Sequence, residues 1–548
     1  MQIDRIRELG GKNRDSSSLI AWAVIASSFL VGLPFFDIGG VFEANAADGE
    51  LFLTVIDDDT KEPIVCRMEL IDPAGRSRTP PRTIAHGGHF VIPGMLQLRL
   101  SRGTYQFELQ HGFEYLGRKK EGNGFVIVPF SEESHEVSVR RFVDMAEWGW
   151  WSGDMAVRRP LKDMEILLES EDIDVVQVMN WPADRPDLML ARMESMDQTT
   201  SQGRMFQAGG GVVSTPGATV YCYNMDEPDP SVTVNGFVVN GQRTRDPEYP
   251  SLEQYLSALR ARNPDVWVEV DRPYRWDVPT LVANDLIDAI QIAHPGILED
   301  DGAASDPDEG YPCDLQKYPA PWGHARYSLD IYYKLLECGF FLPPSAASGS
   351  GDSPHPIGSN RVYTHFMPDR PPTYEEWFER YSQGRSFITN GPLLMTHVQG
   401  EPPGAVFYQE EVKPIELEIG FDFRSREPVS YIEIVKNGSV YQSIRVSDLE
   451  ESGGEIPPIE FEESGWFLLR AVTDEPALYQ FAMTAPYFVR MGDSRRVSRS
   501  AAQFFLDWTF ERACQIQLDD PSQQESVMAY HRRARDVFAR LVETATVE

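Results

Sequence analysis

From residue 50 to about 142, apolar and polar positions alternate with a period of two in short runs. Leu51-Phe52-Leu53-Thr54-Val55-Ile56, Ile64-Val65-Cys66-Arg67-Met68-Glu69-Leu70 and Gln97-Leu98-Arg99-Leu100 are separated by turn residues such as Asp57-Asp58-Asp59 and Pro73-Ala74-Gly75. Successive side chains of a strand point to opposite faces, so this spacing predicts a small antiparallel sandwich. Between about 147 and 392 the pattern changes. The amphipathic stretch Asp163 to Ser170 precedes the apolar run Asp174-Val175-Val176-Gln177-Val178-Met179, and the helical pattern from Ser251 to Arg262 precedes Val266-Trp267-Val268-Glu269-Val270. Helices alternating with apolar strands predict a central α/β domain with parallel strands, whose active groups gather at the strands' carboxyl ends.

Period-two alternation returns from about 396, in Ile415-Glu416-Leu417-Glu418-Ile419 and Ser430-Tyr431-Ile432-Glu433-Ile434-Val435, with Lys436-Asn437-Gly438 as a hairpin turn. This predicts a second sandwich ending near Arg490. From Ala501 to Ala539 the apolar residues take helical spacing, interrupted at Asp519-Asp520-Pro521, which predicts two helices packing back on the body. The expected organisation is a leader over 1–46, a β-sandwich over 47–145, an α/β domain over 146–395, a second β-sandwich over 396–490 and a helical tail over 491–548.

The leader itself has a distinct signature. Arg5, Arg7, Lys12 and Arg14 precede an uncharged apolar stretch from Leu19 to Phe36, and Ala44-Asn45-Ala46 follows. A positive region, an apolar region and an Ala-x-Ala site are what a signal peptidase reads, so the sequence predicts export to the periplasm or the outside of the cell. The alternative is retention of the apolar stretch as a single membrane anchor, since its length approaches the ~20 residues that span a bilayer.

Charge narrows the possible partners. With 84 acidic against 50 basic residues the formal net charge is -34, a surface that repels phosphate backbones and argues against nucleic acid. Cys66, Cys222, Cys313, Cys338 and Cys514 show no CxxC spacing and are odd in number, which points to free buried thiols rather than a zinc knuckle or a disulfide framework. Gly209-Gly210-Gly211 lacks a strand-turn-helix setting and reads as a flexible loop. Trp148, Trp150 and Trp151 read as core rather than as a sugar cleft. Neither a Gly-x-Ser-x-Gly elbow, a Walker loop nor His-Glu-x-x-His occurs.

Asp154, Asp271, His294, Asp352 and His355 remain as donors of the type that hold zinc, manganese or iron. A metal held there would lower the pKa of bound water and make a nucleophile near neutral pH. Arg158, Arg159, Arg272 and Arg275 lie beside them in the sequence. They allow a second reading, a pocket for carboxylate, sulfate or phosphate.

The stretch Gly149-Trp150-Trp151-Ser152-Gly153-Asp154-Met155-Ala156-Val157-Arg158-Arg159 is similar to the start of the PHP-like metallohydrolases of the CehA/McbA family, which usually read Gly-Asp-Leu-His-x-His. Ala156 and Arg158 stand where that family has its histidine pair, and neither can ligate a cation. Asp271-Arg272-Pro273-Tyr274-Arg275-Trp276-Asp277 resembles the family stretch in which a glutamate ligand precedes Lys-Pro-Phe-Trp-Trp-Asp. Ala293-His294-Pro295 falls where another histidine ligand stands. Gly349-Ser350-Gly351-Asp352-Ser353-Pro354-His355 resembles the family's Gly-Ser-Asp-x-His with one residue more, and Gly384-Arg385-Ser386-Phe387-Ile388-Thr389-Asn390-Gly391-Pro392 its closing strand and turn.

The likeness covers roughly 149–392 and implies a central barrel-type PHP-like domain flanked by the two sandwiches. Asp154, Asp271, His294, Asp352 and His355 are then the expected metal ligands, and Arg158 and Arg275 the expected ligand-binding residues. Three functions follow. The first is an exported metal-dependent hydrolase of an ester, amide or phosphoester with an incomplete metal site. The second is a catalytically inactive exported protein that uses the same pocket for an anionic or carbohydrate small molecule, with reduced or no metal binding. The third is a structural surface protein.

Overall fold

A computed structural model describes residues 48–548, apart from 120–121, 182–195, 226–230, 234–235, 240–241, 244–245, 300–305, 307, 368–369, 453, 455, 475–477 and 494. The expected leader over 1–46 lies outside the described residues. The molecule is mostly β, built from several sheets, with helices packed at its carboxyl-terminal end.

The first segment forms two sheets. Asp48–Asp57 buries every second residue, and Leu51, Leu53 and Val55 meet Cys66, Met68 and Leu70 of Val65–Ile71 in one core. The pairing departs from the antiparallel expectation at one place. Asp48–Asp57 and Glu132–Arg141, the first and last long strands of the segment, lie side by side and run in the same direction.

In the central segment Trp150–Val157, Val175–Trp181 and Met205–Ser214 pair in parallel. Thr219–Tyr223 returns antiparallel between Met205–Ser214 and Trp267–Val270, and Ala289–Ala293 and Pro344–Ala346 follow in parallel. The chain beyond Pro344–Ala346 comes back to the first of these strands. Gly349 N–H donates to the Ala156 carbonyl at 3.1 Å and Arg158 N–H to the Ser350 carbonyl at 2.8 Å, so the hydrogen-bonded circuit closes on itself. Helices Met164–Ser170, Leu252–Arg262, Val278–Ala283 and Gly323–Glu337 connect or cover these strands. Ser251 and Gln254 close a reciprocal capping box on the second of them, which satisfies amides that the helix start leaves bare.

The amino-terminal half of Trp150–Val157 pairs instead with Arg361–His365, and the ladder continues through Ser386–Thr389 and Phe481–Thr484 into Gly465–Val472, Tyr431–Lys436 and Ser439–Arg445. One sheet thus crosses the boundary expected at 395, and Leu393–Val398 spans it. The predicted hairpin turn is present, with Asn437 and Gly438 both at positive φ. The tail is the expected helix pair, Arg499–Gln515 and Pro521–Glu543. Asp520 caps the second helix through the Ser522 and Gln523 amides, with Pro521 in the first turn.

Two expectations change. Gly209, Gly210 and Gly211 are not a loop but part of the buried strand Met205–Ser214. A Cβ on Gly211 would stand 1.7 Å from the Trp181 ring and one on Gly210 2.4 Å from the Met179 Cε, so the glycines are there to admit side chains of the neighbouring strand. Of the tryptophans, Trp150 is buried and packs on Phe387, whereas Trp148 is exposed. None of the five cysteines is in a disulfide, and Cys514 alone is exposed.

Candidate functional site

The carboxyl ends of the central strands bring together most of the predicted residues. Asp271 follows Trp267–Val270 and its amide donates to the Thr219 carbonyl at 3.0 Å. Its carboxylate is gripped by Arg275, from Nε at 3.0 and 3.1 Å and from Nη2 at 2.7 Å. The other arm of Arg275 bonds the Glu309 carboxylate and carbonyl. Burial opposes the charge of Arg275, but these carboxylates outweigh it and hold its pKa above the ordinary arginine value. Arg272 donates to the Tyr274 hydroxyl at 3.1 Å and lies 3.8 Å from Asp271.

His294 follows Ala289–Ala293 and is almost fully buried. Neither of its ring nitrogens has a hydrogen-bond partner, and the Tyr274 ring approaches edge-on at 6.0 Å. Burial first, then Arg272 and Arg275, keep its pKa well below the usual histidine range, so the imidazole is neutral at pH 7. Tyr221 completes the neighbourhood. Burial and the Asp271 and Asp352 carboxylates raise its pKa, while Arg272 and Arg275 pull it down.

Arg158 reaches Asp352 at 3.2 Å across the closing loop. Its side chain is 15% exposed and that of Asp352 54%, so the pair stands at the solvent edge. His355 sits partly buried further along this loop, its amide donating to the Ser353 hydroxyl at 3.3 Å.

Asp154 has another occupation. It is completely buried on Trp150–Val157, and its carboxylate accepts from the Ala156, Ser348 and Gly358 amides at 3.2, 3.0 and 2.8 Å. Burial pushes its pKa up to about 6 against the pull of these donors. It fastens the closing loop to the strand at both ends.

The residues expected to hold zinc, manganese or iron do not fit such a centre. A cation needs carboxylates free to turn toward it, and here Asp271 is engaged by guanidinium and the buried Asp154 by three amides, while Asp352 stands exposed at the solvent edge. Among the described residues no three of the five expected donors bring ligand atoms within 4.8 Å of one another; Glu253, Asp277 and His531 do. What the arrangement offers is guanidinium groups and a neutral imidazole at one strand-end face.

A polar network below this face escaped sequence reasoning. Glu269 is fully buried and accepts from the Ser345 hydroxyl at 2.7 Å, the Trp267 indole at 3.0 Å and the Tyr223 hydroxyl at 3.3 Å, with Gln291 at 3.4 Å and Tyr381 also donating. The signal was a lone glutamate inside the apolar run Val266 to Val270. Nothing in the sequence signals the electrostatic influence of Arg272 on His294.

Neither a family model nor a curated protein matches the chain. Among solved structures, GBS52, the minor pilin of Streptococcus agalactiae, is 20% identical, with 18% of this chain and 46% of that one covered, at a TM-score of 0.15. The Bacillus anthracis TIE protein is 17% identical over 21% of this chain and 20% of its own, at a TM-score of 0.14.

Proposed function

We propose that residues 149–392 form a barrel-type PHP-like domain, similar to the CehA/McbA metallohydrolases, whose hydrolase centre has given way to a cation-lined pocket. The protein would then be an exported binding protein for a small oxyanion or carboxylate. The fold reading rests on the closed circuit of seven strands and on the ordered sequence likenesses around it. The reading of export rests on the basic, apolar and Ala-x-Ala sequence before residue 47.

One observation carries the functional reading. Asp271, at the position likened to a metal-binding glutamate, is held by the Nε and Nη2 edge of Arg275, which leaves its charge compensated before any cation arrives. Arg158, in place of a family histidine, is paired with an exposed carboxylate. An incoming anion can exchange with Asp352, because an ion pair at the solvent edge contributes at most ~1 kcal/mol. The neutral His294 ring offers one N–H donor to a ligand oxygen. A metal-dependent hydrolase would need a bound ion and the water it activates, and the paired carboxylates here do not favour that ion.

The test is a calorimetric titration with inorganic phosphate and sulfate. Asp352→Asn should tighten binding by up to about fivefold, the equivalent of ~1 kcal/mol, and Arg158→Ala should weaken it at least as much. Absence of binding by either anion to all three proteins, or hydrolysis of a phosphoester or ester by the metal-loaded wild type, would sink the proposal.

A further inference from the structure

A second group of side chains lies where the tail helices dock. Glu253 stands in the first turn of Leu252–Arg262, Asp277 immediately precedes Val278–Ala283, and His531 belongs to Pro521–Glu543. All three are buried, and one ligand atom of each lies within 4.8 Å of the others. Glu253 is fully inaccessible, yet neither of its oxygens has a partner in hydrogen-bond geometry. A buried carboxylate left in that state is costly unless something else binds it.

Each neighbour is already arranged. His531 Nδ1 is 3.0 Å from the Thr280 hydroxyl, which leaves Nε2 for a ligand, the arrangement that orients metal-binding imidazoles. Arg512 donates to Asp277 Oδ1 at 2.7 Å and grips Glu248 with both Nη atoms, so Oδ2 of Asp277, 3.5 Å from Nη2, is the less engaged oxygen. Gly217 lies so close that a Cβ there would stand 1.8 Å from this oxygen. Glu253, Asp277 and Glu248 bring three negative charges against the single positive charge of Arg512. The imbalance equals the charge of one divalent cation.

We infer that Glu253, Asp277 and His531 bind one divalent metal ion, with zinc the best match to one imidazole and two carboxylates, and that the ion fastens the tail helices to the central segment. The site shares no residue with the strand-end group around Asp271, Arg275 and His294. The competing arrangement is a proton on Glu253, toward which burial and the Asp277 carboxylate push its pKa to about 8.

The purified protein, stripped with a chelator, is titrated with Zn2+ and separately with Co2+. One equivalent should bind. At an excess of about a hundredfold over Kd the midpoint of thermal unfolding should rise by roughly 2–3 °C. The cobalt form should show a visible absorption band. Glu253→Gln and His531→Gln should each lose the equivalent, the band and the thermal shift. If the wild type takes up no ion, or if Glu253→Gln binds as the wild type does, the inference is overturned and the proton is the occupant. Should His531→Gln fail to fold, the cobalt spectrum of the wild type against Glu253→Gln decides alone.

Discussion

Replacing Gly211 by alanine separates steric from conformational effects, because Gly211 does not have the positive φ that would itself penalise a side chain. The added Cβ would meet Cε2, Cζ2 and Cδ2 of Trp181 at 1.7, 2.0 and 2.2 Å, where ordinary contact is 3.4–4 Å. Trp181 cannot easily withdraw: it is 2% exposed and its indole N–H donates to the Gly209 carbonyl at 3.2 Å. Overpacking a well-filled site costs about 1–3 kcal/mol, and a displacement this large belongs at the upper end, ~3 kcal/mol. With an unfolding entropy near 2.1 cal/mol/K per residue, ~3 kcal/mol lowers the unfolding midpoint of this ~500-residue body by about 3 °C. Denaturant unfolding gives the free energy directly. Trp181→Leu should relieve the clash, so the double variant should be more stable than the sum of the single costs implies, with a coupling of at least ~1 kcal/mol. In a flexible loop the same substitution would be neutral or stabilising by ~0.4–1 kcal/mol. Unchanged stability of Gly211→Ala would refute the strand assignment and the packing argument together.

Other consequences are open to simple measurement. Asp154, with its pKa raised from 3.8 to about 6 by burial, holds its proton more tightly folded than unfolded. The stability it contributes is fully present below about pH 4 and is lost as pH rises through 6; unfolding of Asp154→Asn should lack this share, up to ~3 kcal/mol, of the slope across that window. Arg275→Ala leaves the buried Asp271 carboxylate with the 3.8 Å contact to Arg272 in place of its guanidinium fork, and should cost up to about 3 kcal/mol, with Asp271→Asn restoring part of it. A thiol reagent should label one cysteine in the native protein, Cys514, and all five after unfolding. Labelling of Cys338 or Cys222 in the native protein would contradict their burial.

Strands were legible wherever one face meets the core and the other meets water, as in Asp48–Asp57, because burial there alternates with the sequence. Helix ends were legible where a side chain caps them, as at Ser251 and Asp520. Glycines 209–211 were misread because their role is set by Trp181 and Met179, which approach from a neighbouring strand and leave no local trace. The boundary at 395 blurred for a similar reason: Ser386–Thr389 pairs with Phe481–Thr484, almost a hundred residues away.

The candidate site was partly legible. Asp271 and His294 directly follow central strands, and Arg158 and Asp352 pair across the closing loop. Their partners were not legible, since side-chain type alone does not say whether a carboxylate faces a cation from solution or a guanidinium four residues on. The Glu253, Asp277 and His531 group was invisible in sequence because its members are spread across 279 positions and lie in or just before three different helices.

Metal content tests the central claim most directly. Glu253→Gln protein, which lacks the site beneath the tail helices, is dialysed against Zn2+, Mn2+ or Fe2+ and compared with Glu253→Gln/Asp271→Asn. No bound ion is expected in either protein, because guanidinium already compensates Asp271. An equivalent of metal in the first that disappears in the second would place a cation at the strand ends and contradict the anion-binding account.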